Sequence, residues 1–194
     1  MDIYEAIEKR RTTRIFKKRA SEEQLRRIFL AGSKAPSGMN RQPWEFVIVD
    51  DQKIIDQLAE LKYQQNRRLP PRRFEGKVTP EEVEVRALKQ KNFFQNTSIV
   101  AVCNNIGEEN RVSVWLCIEN MFLAAVAEGL GSGIATYWGK HKKEAEKILG
   151  LLNGYELTAV LKFGEAGEDL YPREKLLSFT PRRPEFSWLH RNKF

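Results

Sequence analysis

The sequence predicts an α+β fold of three layers, with a few strands held between helices. Two observations predict it. Apolar residues recur at helical spacing in several capped segments, while residues 45–49, 99–103 and 155–163 read as strands. The order of these segments does not follow a strict strand-helix-strand alternation, which separates the chain from doubly wound α/β folds. At 194 residues and 41% hydrophobic content, residues 1–194 suit a single domain with a packed core.

The elements follow in order. Residues 2–9 form a short amphipathic helix with Ile3, Ala6 and Ile7 on one side, and a basic segment, residues 10–14, follows as loop or strand entry. Ser21 with Gln24 three residues later is a capping box, so a helix runs to about Ser33, with Leu25, Ile28 and Phe29 inward. Pro36 and Gly38 break that helix before the first strand at 45–49. Asp50 or Asp51 caps a helix carrying Ile54, Ile55, Leu58 and Leu61. Residues 62–78, basic and interrupted by Pro70 and Pro71, read as a mobile excursion. Thr79, Pro80 and Glu82 start another helix, which ends near Phe94.

The continuous apolarity of 99–103 marks a strand buried on both faces. Residues 112–128 are apolar almost all round, which suits a central core helix or a large dimer interface. Glycines 129, 131 and 133 stop that helix, and a short strand follows at 134–137. Residues 141–149 form a small helix. In the last strand Leu157, Ala159, Leu161 and Phe163 alternate against Glu156, Thr158 and Lys162. Residues 165–194 are irregular, and their aromatics, among them Phe179, Phe186, Trp188 and Phe194, need a surface to pack on; a second subunit would supply one.

Charge and motifs exclude several classes. The net charge of +7 invites a nucleic-acid reading, but the cations are spread among 26 acids. The densest cluster, Arg67, Arg68, Arg72 and Arg73, sits in the Pro-interrupted loop, where it is a solvated loop or an attractor of an anionic substrate. A basic nucleic-acid-binding module is therefore the weaker alternative, and an anionic small ligand the better one. Cys103 and Cys117 fall in apolar segments and read as reduced core residues, and residues 1–5 are unlike a secretory leader, so a cytoplasmic protein is expected. The most apolar stretch is too short and too polar to span a bilayer. His141 and His190 have no metal-ligand neighbours and read as surface residues. The glycine run has the wrong order and spacing for a dinucleotide fingerprint; it is a helix stop or a place of close backbone approach to a ligand. With no triad and no metal site, a cofactor would carry any redox chemistry.

Two segments offer binding groups. Ser37, Asn40 and Gln42 stand at close spacing on the turn before the first strand, where their hydroxyl and amides suit a planar, hydrogen-bonding ligand. Arg10, Arg11, Thr12 and Arg14 form a phosphate-cradling set, because guanidinium forks match phosphate oxygens; Arg182 and Arg183 repeat the chemistry far downstream.

Residues 10–14 (RRTTR), 35–44 (APSGMNRQPW), 120–132 (NMFLAAVAEGLGS) and 182–184 (RRP) together resemble the FMN-dependent nitroreductase family, in the family's order and across nearly the whole chain. The resemblance implies a three-layer sandwich with a mainly antiparallel central sheet. It also implies an intertwined homodimer whose C-terminal extension packs on the partner, with FMN at the interface. Carried over by position, Arg10, Arg11, Thr12, Arg182 and Arg183 serve the FMN phosphate and Arg14 the flavin N1 and O2 edge. Pro36, Ser37 and Gly38 reach the partner's flavin, Asn40 contacts it and Gln42 braces the turn. The Thr136 and Tyr137 backbone lies near N5 and O4, and Gln90 is a candidate reader of the pyrimidine edge. The implied activity is hydride transfer from NADH or NADPH through the flavin to a nitroaromatic, quinone or related acceptor. Ferredoxin-linked or enone reduction, dehalogenation and flavin cleavage remain as alternatives within the family. Many relatives carry small residues where this chain has Thr136, Tyr137 and Trp138; here the two aromatics narrow the pocket or pack in the core.

Overall fold

The computed structural model describes residues 1–68, 79–168, 183, 184 and 186–193. In chain order its elements are α1 (Ile3–Lys9), β1 (Phe16–Arg19), α2 (Glu22–Gly32), a 3-10 turn (Gly38–Asn40), β2 (Trp44–Val49), α3 (Gln52–Arg67), α4 (Pro80–Asn92), β3 (Ser98–Asn105), α5 (Glu108–Ala127), β4 (Gly131–Ala135), α6 (Gly139–Ile148) and β5 (Tyr155–Ala166). The helix starts follow their caps. Ser21 and Gln24, and Thr79 and Glu82, close reciprocal capping boxes, and the Asp51 carboxylate accepts from Lys53 N at 2.7 Å.

Every strand pair of the sheet is antiparallel. β3 lies between β2 and β5, and the opposite edge of β5 carries β4, so that Phe163 pairs with Ser98 on one side and Ser132 on the other. β1 pairs with the last residues of β5. Alternation along the strands divides the core into two layers. Val100, Val102, Ala159, Leu161 and Phe163 face α2 and α5, while Ile99, Ala101, Cys103, Leu157 and Val160 belong to the layer that includes Ile55 and Leu58 of α3 and Ala145 of α6. This is the expected three-layer α+β arrangement. Both cysteines are buried, and burial pushes each thiol up to about 12, which keeps them unreactive core residues.

Three local expectations change, and one strand is added. β1 follows the segment 10–14 read as loop or strand entry and occupies residues given no element; its burial pattern, one inward residue and three outward, carries little periodic signal. β4 begins at Gly131, so two of the glycines lie inside the strand. α3 continues through Arg67, placing helix where the excursion was expected from residue 62; residues 69–78, including Arg72 and Arg73, lie outside the described residues. His141 is buried rather than on the surface, and its Nε2 has no partner among the described residues.

α5 is two-sided. Val114, Cys117, Ile118, Met121 and Ala125 are buried, whereas Val112, Trp115 and Leu116 form an exposed stripe. α1 packs on α5 through Ala6 and leaves Ile3, Tyr4 and Ile7 exposed. Phe186, Trp188 and Leu189 of the C-terminal segment are also exposed, while Phe179 and Phe194 lie outside the described residues. Among the described residues no helix is long and apolar enough to cross a membrane.

Candidate functional site

The basic segment 10–14 runs beside β4. Thr13 N donates to Ser132 O at 2.7 Å, and Thr12 bridges in parallel to Ser132. Glycine permits this approach. A Cβ on Gly133 would lie 2.7 Å from the Thr13 carbonyl oxygen, and one on Gly131 would overlap the Thr13 side chain. Gly129, at φ +73°, ends α5 instead: its N–H bonds Val126 O, and Leu130 N–H bonds Ala125 O, a Schellman stop. The glycine run thus combines a helix stop with a close approach, and the approaching group is residue 13 of the same chain. Arg10 Nε lies 3.7 Å from Glu119 of α5, and Arg11 donates to the carbonyls of Glu8 and Arg10.

The exit of β4 is pinned from α3. The Thr136 carbonyl accepts from Lys62 Nζ at 2.8 Å and from Gln65 Nε2 at 3.1 Å, while Gln65 Oε1 accepts from Trp138 N at 3.1 Å. Because the peptide is trans, the Tyr137 N–H points opposite to that carbonyl, away from α3. Tyr137 packs in the core with its hydroxyl donating to Leu58 O at 2.7 Å, and Trp138 stays exposed with Lys62 Nζ 4.9 Å from its ring centroid. Of the two roles open to these aromatics, Tyr137 takes core packing.

Lys162 stands behind the same strand, opposite Gly133 in the register of β4 and β5. Alternation assigned it to the polar side of its strand, but helices cover both faces of the sheet, and Lys162 is 3% exposed. Burial pushes it down to about 7, helped by the charges of Lys62 and Arg14; burial alone pushes Lys62 down to about 8. Lys62 at the exit of β4 and Arg14 of the basic segment thus both act by charge on Lys162, which stands opposite Gly133.

Residues 36–42 form a tight turn. Met39, Asn40 and Gln42 all have φ near +50°, a region unfavourable for side-chain-bearing residues. Gln42 N donates to Ser37 Oγ at 3.0 Å, and Gln42 Nε2 donates to Asn40 O at 3.2 Å. Pro36, Gly38 and Asn40 are exposed beside it. Arg41 lies 3.4 Å from Glu109 at the start of α5, whereas Arg10 lies beside Glu119. Ten residues of helix separate those anchors by about 15 Å. The turn and the basic segment therefore sit at different stations along α5.

Gln90 is on α4, which packs on α3, while Gln65 of α3 bonds the exit of β4. Arg183 is exposed in the C-terminal segment, and Arg182 lies outside the described residues. Arg67 is 2.9 Å from Glu84 and lies over the Tyr63 ring. Among the described residues no group of His, Cys, Asp and Glu could hold a metal.

A family model of the nitroreductases matches residues 7–165, which takes in the basic segment, the turn and all of the sheet but the last residue of β5. The chain belongs to the nitroreductase family. It is similar to an iodotyrosine deiodinase of Thermotoga neapolitana, 29% identical over 186 residues that cover 90% of this chain and 95% of that protein. It is also similar to a crystal structure of oxidised iodotyrosine deiodinase bound to FMN and 3-iodo-L-tyrosine, 25% identical with a TM-score of 0.72 and full coverage of both chains. A nitroreductase with bound FMN from Bacteroides fragilis shares the fold at 19% identity and a TM-score of 0.72, again with full coverage.

Three residues at this site escaped the sequence reading. Lys62 and Gln65 lay where a loop was expected, and Lys162 was taken for a solvent-facing residue. The signal for Lys162 was its place in a strand whose flanks are apolar at nearly every position, from Ala159 to Phe163. Such a strand is covered on both faces, and a lysine within it is buried.

Proposed function

We propose that the chain is an FMN-dependent oxidoreductase that works as a homodimer and transfers a hydride from NADH or NADPH to a small acceptor in a ping-pong cycle. The observation that carries this is the set of cations along β4: Lys62 bonded at its exit and Lys162 buried opposite Gly133, with the charge of Arg14 acting on Lys162. The residues fit the cofactor. Arg10, Arg11 and Thr12 offer guanidinium and hydroxyl donors to a phosphate. The buried cations suit an electron-rich ring edge, and the Tyr137 N–H, directed away from α3, is free of the bonds that hold Thr136. Bound FMN supplies two-electron transfer at its N5. The protein's part is binding, orientation and charge: Arg14 and the two lysines favour negative charge on the ring system, and Gln65 and Lys62 keep the β4 exit in one conformation. The turn at 36–42, at its separate station along α5, serves the partner's site. Purified protein should be yellow and should bleach anaerobically with NADH or NADPH. Colourless protein that takes up no added FMN would refute the reading, and bleaching by neither nucleotide would assign another donor.

A second reading has its own support. The similarity to iodotyrosine deiodinases runs over nearly all of the chain. Reductive dehalogenation consumes two electrons and one proton, replaces the carbon–halogen bond by carbon–hydrogen and releases halide. Iodide release from 3-iodo-L-tyrosine by the reduced protein, compared with its rate on a nitroaromatic, separates the two readings.

A further inference from the structure

Lys162 occupies a core position. Val160, two residues away on the same face of β5, lies in the apolar layer with Ile99, Ala101 and Tyr137. The lysine stem crosses Gly133, whose Cβ, if present, would stand 3.3 Å from Lys162 Cε. The ammonium lies 5.1 Å from the Phe94 ring centroid and 5.6 Å from that of Phe93. Each packed element contributes a neighbour: Lys62 from α3, Arg14 from the segment before β1, Phe93 and Phe94 after α4, Ile99 from β3 and Gly133 from β4. Among the described residues, the charges that act on Lys162 are those of Lys62 and Arg14. Aromatic faces offset part of the cost of a buried ammonium. A third positive charge in this space is unfavourable while the bound ring system is neutral, and becomes favourable once that ring carries negative charge.

We propose that Lys162 is a redox-linked proton acceptor, coupled through space to the bound flavin and taking one proton from water when that flavin gains two electrons. The inference rests on the flavin reading above. Hydride transfer, or two electrons and one proton, turns the neutral oxidised ring into its reduced monoanion. The Lys162 amine and a hydronium ion become an ammonium and water, so the net charge of the site is the same before and after. When the acceptor removes the hydride, Lys162 returns its proton to water. The resting protonation supports this, because burial with the charges of Lys62 and Arg14 brings Lys162 to about 7, poised for uptake at neutral pH. Lys162 is thus a positioning residue for charge.

The test is a spectroelectrochemical titration of the FMN-loaded protein at a series of pH values around neutrality. Above about pH 7 the wild type should show two protons per two electrons, falling toward one at lower pH where Lys162 is already charged, and Lys162→Met, which keeps the apolar stem, should show one throughout. A wild-type slope of one proton above about pH 7 overturns the proposal. So does a two-proton slope that survives in Lys162→Met, since the second proton then resides elsewhere. A protein that takes up no FMN overturns the flavin reading and this inference together, whereas a one-proton slope above about pH 7 in a flavin-loaded protein overturns this inference alone.

Discussion

At the scale of single residues, Gln65 shows how one side chain holds a site. It is 1% exposed, and its amide spans Thr136 O and Trp138 N, the two peptide groups flanking Tyr137. In Gln65→Leu the Thr136 carbonyl keeps Lys62, but the Trp138 N–H loses its acceptor. Urea denaturation should show a loss of about 1–3 kcal/mol. A variant as stable as the wild type would mean the segment is held without Gln65. Lys162 yields a prediction with a pH sign. The lysine titrates near 10.5 in the unfolded chain and near 7 in the fold. Between those values the unfolded chain binds more protons, so stability from this group rises with pH, and the penalty is full below about 7. Measured without added flavin, Lys162→Met should be more stable than the wild type at neutral pH, with the gap narrowing as pH rises toward 10.5. A gap independent of pH would show that Lys162 stays charged throughout.

At the scale of elements, the approach of residues 10–14 to β4 depends on two glycines that fail in different ways. A methyl at Gly131 meets the Thr13 side chain, which can be shortened; a methyl at Gly133 meets the Thr13 carbonyl, which cannot. Gly131→Ala should therefore displace the basic segment and weaken FMN binding, and adding Thr13→Gly should restore much of it. Gly133→Ala should not be rescued by the same change. Flavin fluorescence titration of the four proteins reads the difference, and equal rescue of both would contradict the described packing. The same elements show what the sequence revealed. Capped amphipathic helices such as α2 and α4 were legible because their signals are local: a serine or threonine, a partner three residues on, an apolar stripe. β1 and the start of β4 were not, because a short edge strand such as FKKR and a glycine-rich strand are defined by what they pair with. In the candidate site, the Arg10 and Ser37 segments stood out in the sequence as motifs. Lys62, Gln65 and Lys162 became visible only when α3 and β5 were brought together.

At the scale of the whole molecule, α5 exposes the stripe Val112, Trp115 and Leu116, and α1, which packs on α5, exposes Ile3, Tyr4 and Ile7. The α5 residues lie at helical spacing on the helix that anchors the turn near Glu109 and Arg10 near Glu119. A two-fold interface along α5 would cover the stripe and bring one subunit's turn toward the other's basic segment, the juxtaposition that a shared flavin site requires. Each buried large apolar side chain adds about 1.5–3 kcal/mol, and in a symmetric interface every substitution acts twice. Trp115 is 41% exposed in the single chain, so replacing it should disturb association far more than the fold of one subunit. In Trp115→Glu the change removes the apolar contact and brings two like charges into the interface. Light scattering should then report a monomer with helical circular dichroism retained, and FMN affinity should fall at least about tenfold, equivalent to about 1.4 kcal/mol. A monomeric variant that binds FMN as tightly as the wild type would place the whole flavin site within one chain and remove the turn at 36–42 from it.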